Sequence, residues 1–126
     1  MNATKYFTLE EANALLHQIE PLMARLLERR AKVARLSLEI KSLLADIRLD
    51  VGGAVPAELT QDFAAIEKLV KEIQSFGCVV KNLNAGLLDF LTVRDGREVY
   101  LCWRYGEPAV AFYHELHTGF NGRQPV

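Results

Sequence analysis

Along the first part of the chain, apolar residues return at alternating intervals of four and three. Leu15, Ile19, Leu22, Leu26, Val33, Leu36, Ile40, Leu43 and Ile47 fall on one seam, interrupted at Arg29. Written as heptads, Ile19, Leu26, Val33, Ile40 and Ile47 take a positions, and Leu15, Leu22, Leu36 and Leu43 take d positions. This is the coiled-coil arrangement that packs knobs into holes. Thr8 followed by Glu11 has the form of a capping box, so the helix is expected to begin near Leu9. Pro21 sits inside the pattern, where it lacks a backbone donor and crowds the preceding turn, which predicts a kink or a short first helix.

Val51 to Pro56, with two glycines and a proline, ends the pattern and predicts a turn. Leu59, Phe63, Ile66, Val70 and Ile73 then mark a second helix, and Gly77 is placed to end it as a left-handed cap. Two helices joined by a short turn are expected to pack antiparallel. Their lengths do not match: about 40 residues span roughly 60 Å and about 20 span roughly 30 Å. The second helix therefore covers only the C-terminal half of the first. Leu15, Leu16, Ile19, Leu22, Met23, Leu26 and Leu27 need cover from the β region or from another subunit. β-branched residues at a with Leu at d suit a pair of helices, a pattern that an intramolecular hairpin satisfies as well as a dimer does, and of the two a homodimer is the favoured expectation.

After Gly77 the period shortens to two. CVVKNL and GLLDFLTV read as short strands, and Arg94-Asp95-Gly96-Arg97 carries a hairpin signal. Arg97–Arg104 and Ala109–His117 form the next hairpin around Tyr105-Gly106-Glu107-Pro108. Alternation places Val99, Leu101 and Trp103 on one face, with Tyr100, Cys102 and Arg104 on the other. On the last strand it groups Val110, Phe112, His114 and Leu116 against Tyr113, Glu115 and His117, with the apolar face expected on the uncovered half of the first helix. The fold class that follows is α+β: a long antiparallel helical hairpin packed with a small C-terminal antiparallel β-meander. We expect one domain over 1–126, the hairpin spanning about 9–76 and the meander and tail about 78–126.

Composition narrows the class without naming a function. The chain has 126 residues, half of them hydrophobic and a quarter charged, as in an ordinary soluble domain. A formal charge of -1 supplies no global attraction to nucleic acid or anionic membrane. Cys78 and Cys102 lie in no CxxC or zinc-type pattern and read as reduced, buried thiols. The first residues lack the basic and apolar regions of a signal peptide, and no run reaches the roughly 18 to 20 apolar residues that span a bilayer. The expected location is the cytoplasm, with no membrane partner.

Chemistry-bearing side chains concentrate after Asp95, which is followed by the only Trp, two of the three His and three of the four Tyr. Tyr113, His114, Glu115 and Arg123 are the candidate ligand-binding residues. His114-Glu115-Leu116-His117 is not a zincin motif, because that motif needs two histidines four apart on a helix and position 118 is Thr. Strand alternation separates His114 from Glu115 and His117. A metal pair is therefore sought in Glu115 and His117, completed by Tyr113, Asp89 or Glu98. Arg123 offers a planar fork for a carboxylate or phosphate, or pins the tail by pairing with Glu115, Glu98 or Asp89. Arg25, Arg29 and Lys32 lie on one face of the first helix and form the candidate nucleic-acid stripe, which also reads as a solvated face.

FTLEEANALL near the start, with DGREVYLCWRYGEP and HELHTGFNGRQP near the end, resembles the uncharacterised bacterial family known as domain of unknown function 2203. The resemblance covers essentially the whole chain. Tyr113 stands where that family usually has Trp, and His117 where it usually has Asp. The resemblance implies no known activity.

Three functions follow in order of preference. The first is an interaction or oligomerisation module built on the heptad hairpin, with a homodimer or a protein partner, and not an enzyme. The second is a metal- or small-ligand-binding protein, with hydrolysis as a candidate chemistry, whose site lies in the HELH to GFNGR segment. The third is phosphate-backbone binding by the basic stripe, which ranks last. No cofactor is expected, and a divalent metal enters only with the second reading.

Overall fold

The computed structural model describes residues 4–46 and 57–126. Ile47 of the heptad seam and the turn from Val51 to Pro56 lie outside the described residues. Helix α1 spans Leu9–Asp46 and α2 Ala57–Gln74. The strands that follow are β1 (Val79–Asn82), β2 (Leu87–Arg94), β3 (Arg97–Arg104), β4 (Phe112–Glu115) and β5 (Gln124–Pro125), with a 3-10 turn at Phe120–Gly122. They form one antiparallel sheet in the order β1-β2-β3-β4-β5. The fold is α+β. No described helix is long and apolar enough to cross a membrane.

Local chemistry accounts for the element ends. Thr8 Oγ1 accepts from Glu11 N, and Thr8 N donates to a Glu11 carboxylate oxygen, both at 3.0 Å, which completes the capping box. Gly77, at φ 104, ends the turn after α2, and a Cβ there would come within 2.9 Å of Lys5 and Phe7 side-chain atoms. Asp95 and Gly96 both have positive φ, so the β2–β3 hairpin turns in two residues with Arg94 opposite Arg97.

The expected kink at Pro21 does not shorten the helix, which runs unbroken through it. Pro21 costs α1 its bond to the carbonyl of His17, and both residues face solvent. The freed carbonyl can be hydrated, while Ile19 and Met23 on the opposite side are fully buried.

The two helices run antiparallel: Arg29 of α1 meets Asp62 of α2, and Lys32 meets both Asp62 and the earlier Glu58. At 38 and 18 residues, they differ in length as the periodicity predicts. The sheet of the same chain covers the other half of α1. Ala12, Leu16, Ile19, Met23 and Leu26 join Leu88, Phe90, Val99, Leu101, Trp103 and Val110 in a single buried cluster. The seam therefore does not need a second subunit to cover it. Each fully buried large side chain there contributes about 1.5–3 kcal/mol.

Further along α1, Val33, Leu36 and Ile40 are only half-buried, and Leu38 is 68% exposed. A buried seam position and an exposed position off the seam should therefore respond differently to truncation. Ile19→Ala is expected to lower unfolding free energy in urea by about 2–5 kcal/mol, whereas Leu38→Ala should stay within about 0.5 kcal/mol of the parent. A loss at Ile19 as small as that at Leu38 would mean that the sheet does not bury α1 there.

Candidate functional site

Alternation gives the sheet two chemically different faces. Leu88, Phe90, Val99, Leu101, Trp103 and Tyr113 face the helices. On the outer face, register sets Asp89 opposite Cys102 and Tyr100 opposite His114. Asp89 and His114 are each 3% exposed and Cys102 1%. Their ligand-type atoms all lie within 4.8 Å of one another.

The expected grouping of β4 with its apolar residues facing the helix holds only for Val110. The Asn13 side chain on α1 accepts from Val110 N at 2.8 Å and donates to its carbonyl at 3.2 Å, so this residue is drawn onto the helix before the strand begins. Regular pairing starts at Phe112, which therefore falls on the outer face together with His114. The strand is also shorter than Ala109–His117, ending at Glu115.

His114 is fixed at both ring nitrogens. Nδ1 lies 2.7 Å from the Glu115 carbonyl oxygen, and Nε2 lies 3.0 and 3.1 Å from the two Asp89 carboxylate oxygens. A carbonyl only accepts, so Nδ1 carries a proton, and a second proton must lie between Nε2 and the carboxylate. Burial pushes the Cys102 thiol up to about 12; Asp89 adds to the rise and Arg123 opposes it. Because neither ring nitrogen of His114 is left to accept the thiol proton, the trio is not an activated Cys–His–Asp nucleophile.

The chain's own tail roofs this face. Arg123 donates to both Glu107 carboxylate oxygens at 2.9 Å, and its guanidinium lies 4.2 Å from the ring centres of both Phe112 and Phe120. Burial pushes the Glu107 carboxyl up, but Arg123 and the Arg104 backbone N–H outweigh this and hold it below its ordinary value. Gly122 is required by close approach, since a Cβ there would come 2.5 Å from Thr118 Cβ. β5 then pairs with β4, and Val126 N donates to the Ala111 carbonyl at 3.0 Å. Beneath the tail lies a cavity of about 100 Å³ lined by Asp89, Cys102 and His114 together with Lys81, Leu87, Leu116, Gly119 and Phe120.

The remaining residues singled out by sequence are dispersed around this centre. Tyr113 lies on the helix face, its hydroxyl donating to Gln124 Oε1 at 2.9 Å and its ring 4.2 Å from the Arg94 guanidinium. Glu115 is on the same face as Tyr113 and takes two bonds from Arg97, at 2.7 and 3.0 Å, which hold its carboxyl below the usual range. His117 is exposed in the turn after β4. Arg123 pairs with Glu107, not with Glu115, Glu98 or Asp89. Of the candidate ligand residues, only His114 and Arg123 share the outer face.

Arg25, Arg29 and Lys32 line a groove of about 720 Å³ between the helices, with Arg35 and Lys68. Two of them serve the hairpin itself: Arg29 and Lys32 reach Asp62 Oδ1 at 2.8 and 3.3 Å, and Lys32 also reaches Glu58 at 3.1 Å. Asp62 is buried and its carboxyl is held low, chiefly by the Arg29 hydrogen bond. Its Oδ2 has no hydrogen-bond partner among the described residues.

The sequence model of a family described as "Uncharacterized conserved protein (DUF2203)" matches residues 5–126. The chain belongs to that family. No curated protein and no solved structure matches it.

Burial also pushes the Cys78 thiol up to about 12. A group whose neutral form is favoured by folding contributes stability below its ordinary value, here 9.0, and that contribution is lost as the pH rises from there towards about 12. In protein treated with a chelator, both thiols are expected to resist a disulfide reagent at pH 8 in the native fold, to react fully in urea, and to make the fold progressively less stable above about pH 9. Rapid labelling of Cys102 without denaturant would contradict this account. The Glu107–Arg123 pair has the opposite sign: its contribution is present above the ordinary glutamate value of 4.5 and is lost below it. Acidification through that range should shift the NMR resonances of Gln124 and Val126 towards those of an Arg123→Ala variant.

Proposed function

We propose that this DUF2203 protein is a metal-binding protein that holds a divalent transition-metal ion through the Asp89 carboxylate, the Cys102 sulfur and His114 Nε2. The observation that carries the reading is the convergence of three buried side chains of different ligand type, with ligand atoms within 4.8 Å of one another. A tetrahedral ion with bonds of roughly 2.0–2.3 Å sets its ligands about 3.4–3.7 Å apart, a spacing these side chains reach by small adjustments. A thiolate, an imidazole and one carboxylate suit zinc or iron and are a poor set for calcium or magnesium.

Two features of the surroundings support the reading. The Nδ1 contact to the Glu115 carbonyl is the outer-shell bond that orients a metal-bound imidazole. Charge is also conserved. An ion of charge +2 would displace the proton shared by His114 and Asp89 and the thiol proton of Cys102, so the net charge buried on the outer face does not change.

Protein purified without an affinity tag is expected to carry stoichiometric zinc or iron, or to take up zinc after chelation with a rise in Tm. Cobalt loading should produce a thiolate charge-transfer band that is absent in Cys102→Ser. His114→Ala and Asp89→Asn should each weaken metal binding by more than the roughly 10–100-fold lost with an outer-shell partner. A folded protein that takes up none of these ions would overturn the proposal.

An interaction module, with self-association as its simplest form, is a second reading. It is supported by Leu38, 68% exposed on α1, and Phe63, 54% exposed on α2. Sedimentation at micromolar concentration is expected to give a dimer that Leu38→Lys or Phe63→Lys dissociates, and a monomer throughout would remove this reading.

A further inference from the structure

We infer that the ion held by Asp89, Cys102 and His114 takes the carboxylate of a small organic acid at its fourth position, with the Lys81 ammonium as the second recognition group. The inference rests on the metal reading above and adds a ligand class to it. Three protein donors leave one position of a tetrahedral ion for an exogenous ligand, the arrangement that distinguishes reactive from purely structural zinc sites.

The space beside the donors limits the size of that ligand. The cavity adjoining Asp89, Cys102 and His114 measures about 100 Å³. At roughly 30 Å³ per water it has room for about three waters, or for a carboxylate bearing a short alkyl group. Leu87, Leu116 and Phe120 give it apolar walls that suit such a group. Leu116 is 49% exposed, so the outer wall borders solvent.

Charge sets the class. A divalent ion with the Asp89 carboxylate and a Cys102 thiolate is electrically neutral, and Lys81 adds one positive charge at the cavity wall. Lys81 has no ion-pair partner among the described residues, and Asp89 is the single acid in the cavity lining. The Lys81 Nζ lies 4.9 Å from the centre of the Tyr100 ring, a contact that holds the ammonium over the outer face without neutralising it. β1 explains its placement. Val79 pairs with Asp89, and Lys81, two residues on and next to the irregularity between Val80 and Asn82, falls on the same face. A monoanion completes this charge, whereas a neutral molecule leaves the ammonium unpaired and a dianion over-neutralises the site.

The test uses the full chain loaded with cobalt, whose visible spectrum reports exchange of a ligand on the metal. Acetate is expected to shift the spectrum at saturable concentration, while acetamide, a neutral molecule of the same shape, should not. Lys81→Gln should weaken acetate by about tenfold or more, while cobalt uptake and the thiolate band stay as in the parent. Normal cobalt loading with no response to acetate overturns the inference and leaves the metal reading intact. Equal acetate affinity in Lys81→Gln does the same, as does tighter binding of inorganic phosphate than of acetate. Failure to load cobalt overturns both.

Discussion

The structure depends on how the apolar seam of α1 is covered. A helix of 38 residues extends about 57 Å, and its partner of 18 residues about 27 Å. An exposed heptad seam of that length would be a large apolar surface, so something must close the uncovered half. The sheet does so, bringing Phe90 and Trp103 against Ile19, Met23 and Leu26. Once one face of the sheet is committed to the helix, strand alternation commits every second side chain to the other. Asp89, Cys102 and His114 therefore converge as a consequence of packing α1.

The outer face creates a second problem, which the tail solves. Two ionisable groups and a thiol are buried on a face that neither α1 nor α2 covers. Their burial requires a roof, and the residues after Gly119 provide it through the Arg123 fork on Glu107 and the stacking of that guanidinium on Phe112 and Phe120. This makes the Arg123 pair part of the roof over the buried Asp89, Cys102 and His114. It also leaves Glu115 and His117 outside the site, because Glu115 faces the other way and is bonded to Arg97.

Much of the architecture was legible in the residues because it rests on local rules. The capping box at Thr8, the Asp95-Gly96 turn, the positive φ of Gly77 in the turn after α2 and the mismatch in helix length all follow from nearest-neighbour chemistry and periodicity. Pro21 misleads on the same scale: its local cost is real, but packing on the opposite side of the helix outweighs it. The pairing of Asp89 with Cys102 was also within reach, since counting outward from a two-residue turn sets one opposite the other. An acid within the otherwise apolar run Leu87–Leu91 was the signal.

The register of β4 was not legible in that way. The segment before it is long enough to admit more than one pairing, and the choice is made by Asn13, almost a hundred residues earlier, which bonds both backbone groups of Val110. That contact shifts the start of regular alternation to Phe112 and turns His114 outward. By itself the sequence determined the two helices, the first four strands and their order, because those depend on local propensity and periodicity. Only the tertiary structure decided which of the chemistry-bearing side chains meet, because contacts between distant strands are set by how one helix and one tail lie across the sheet.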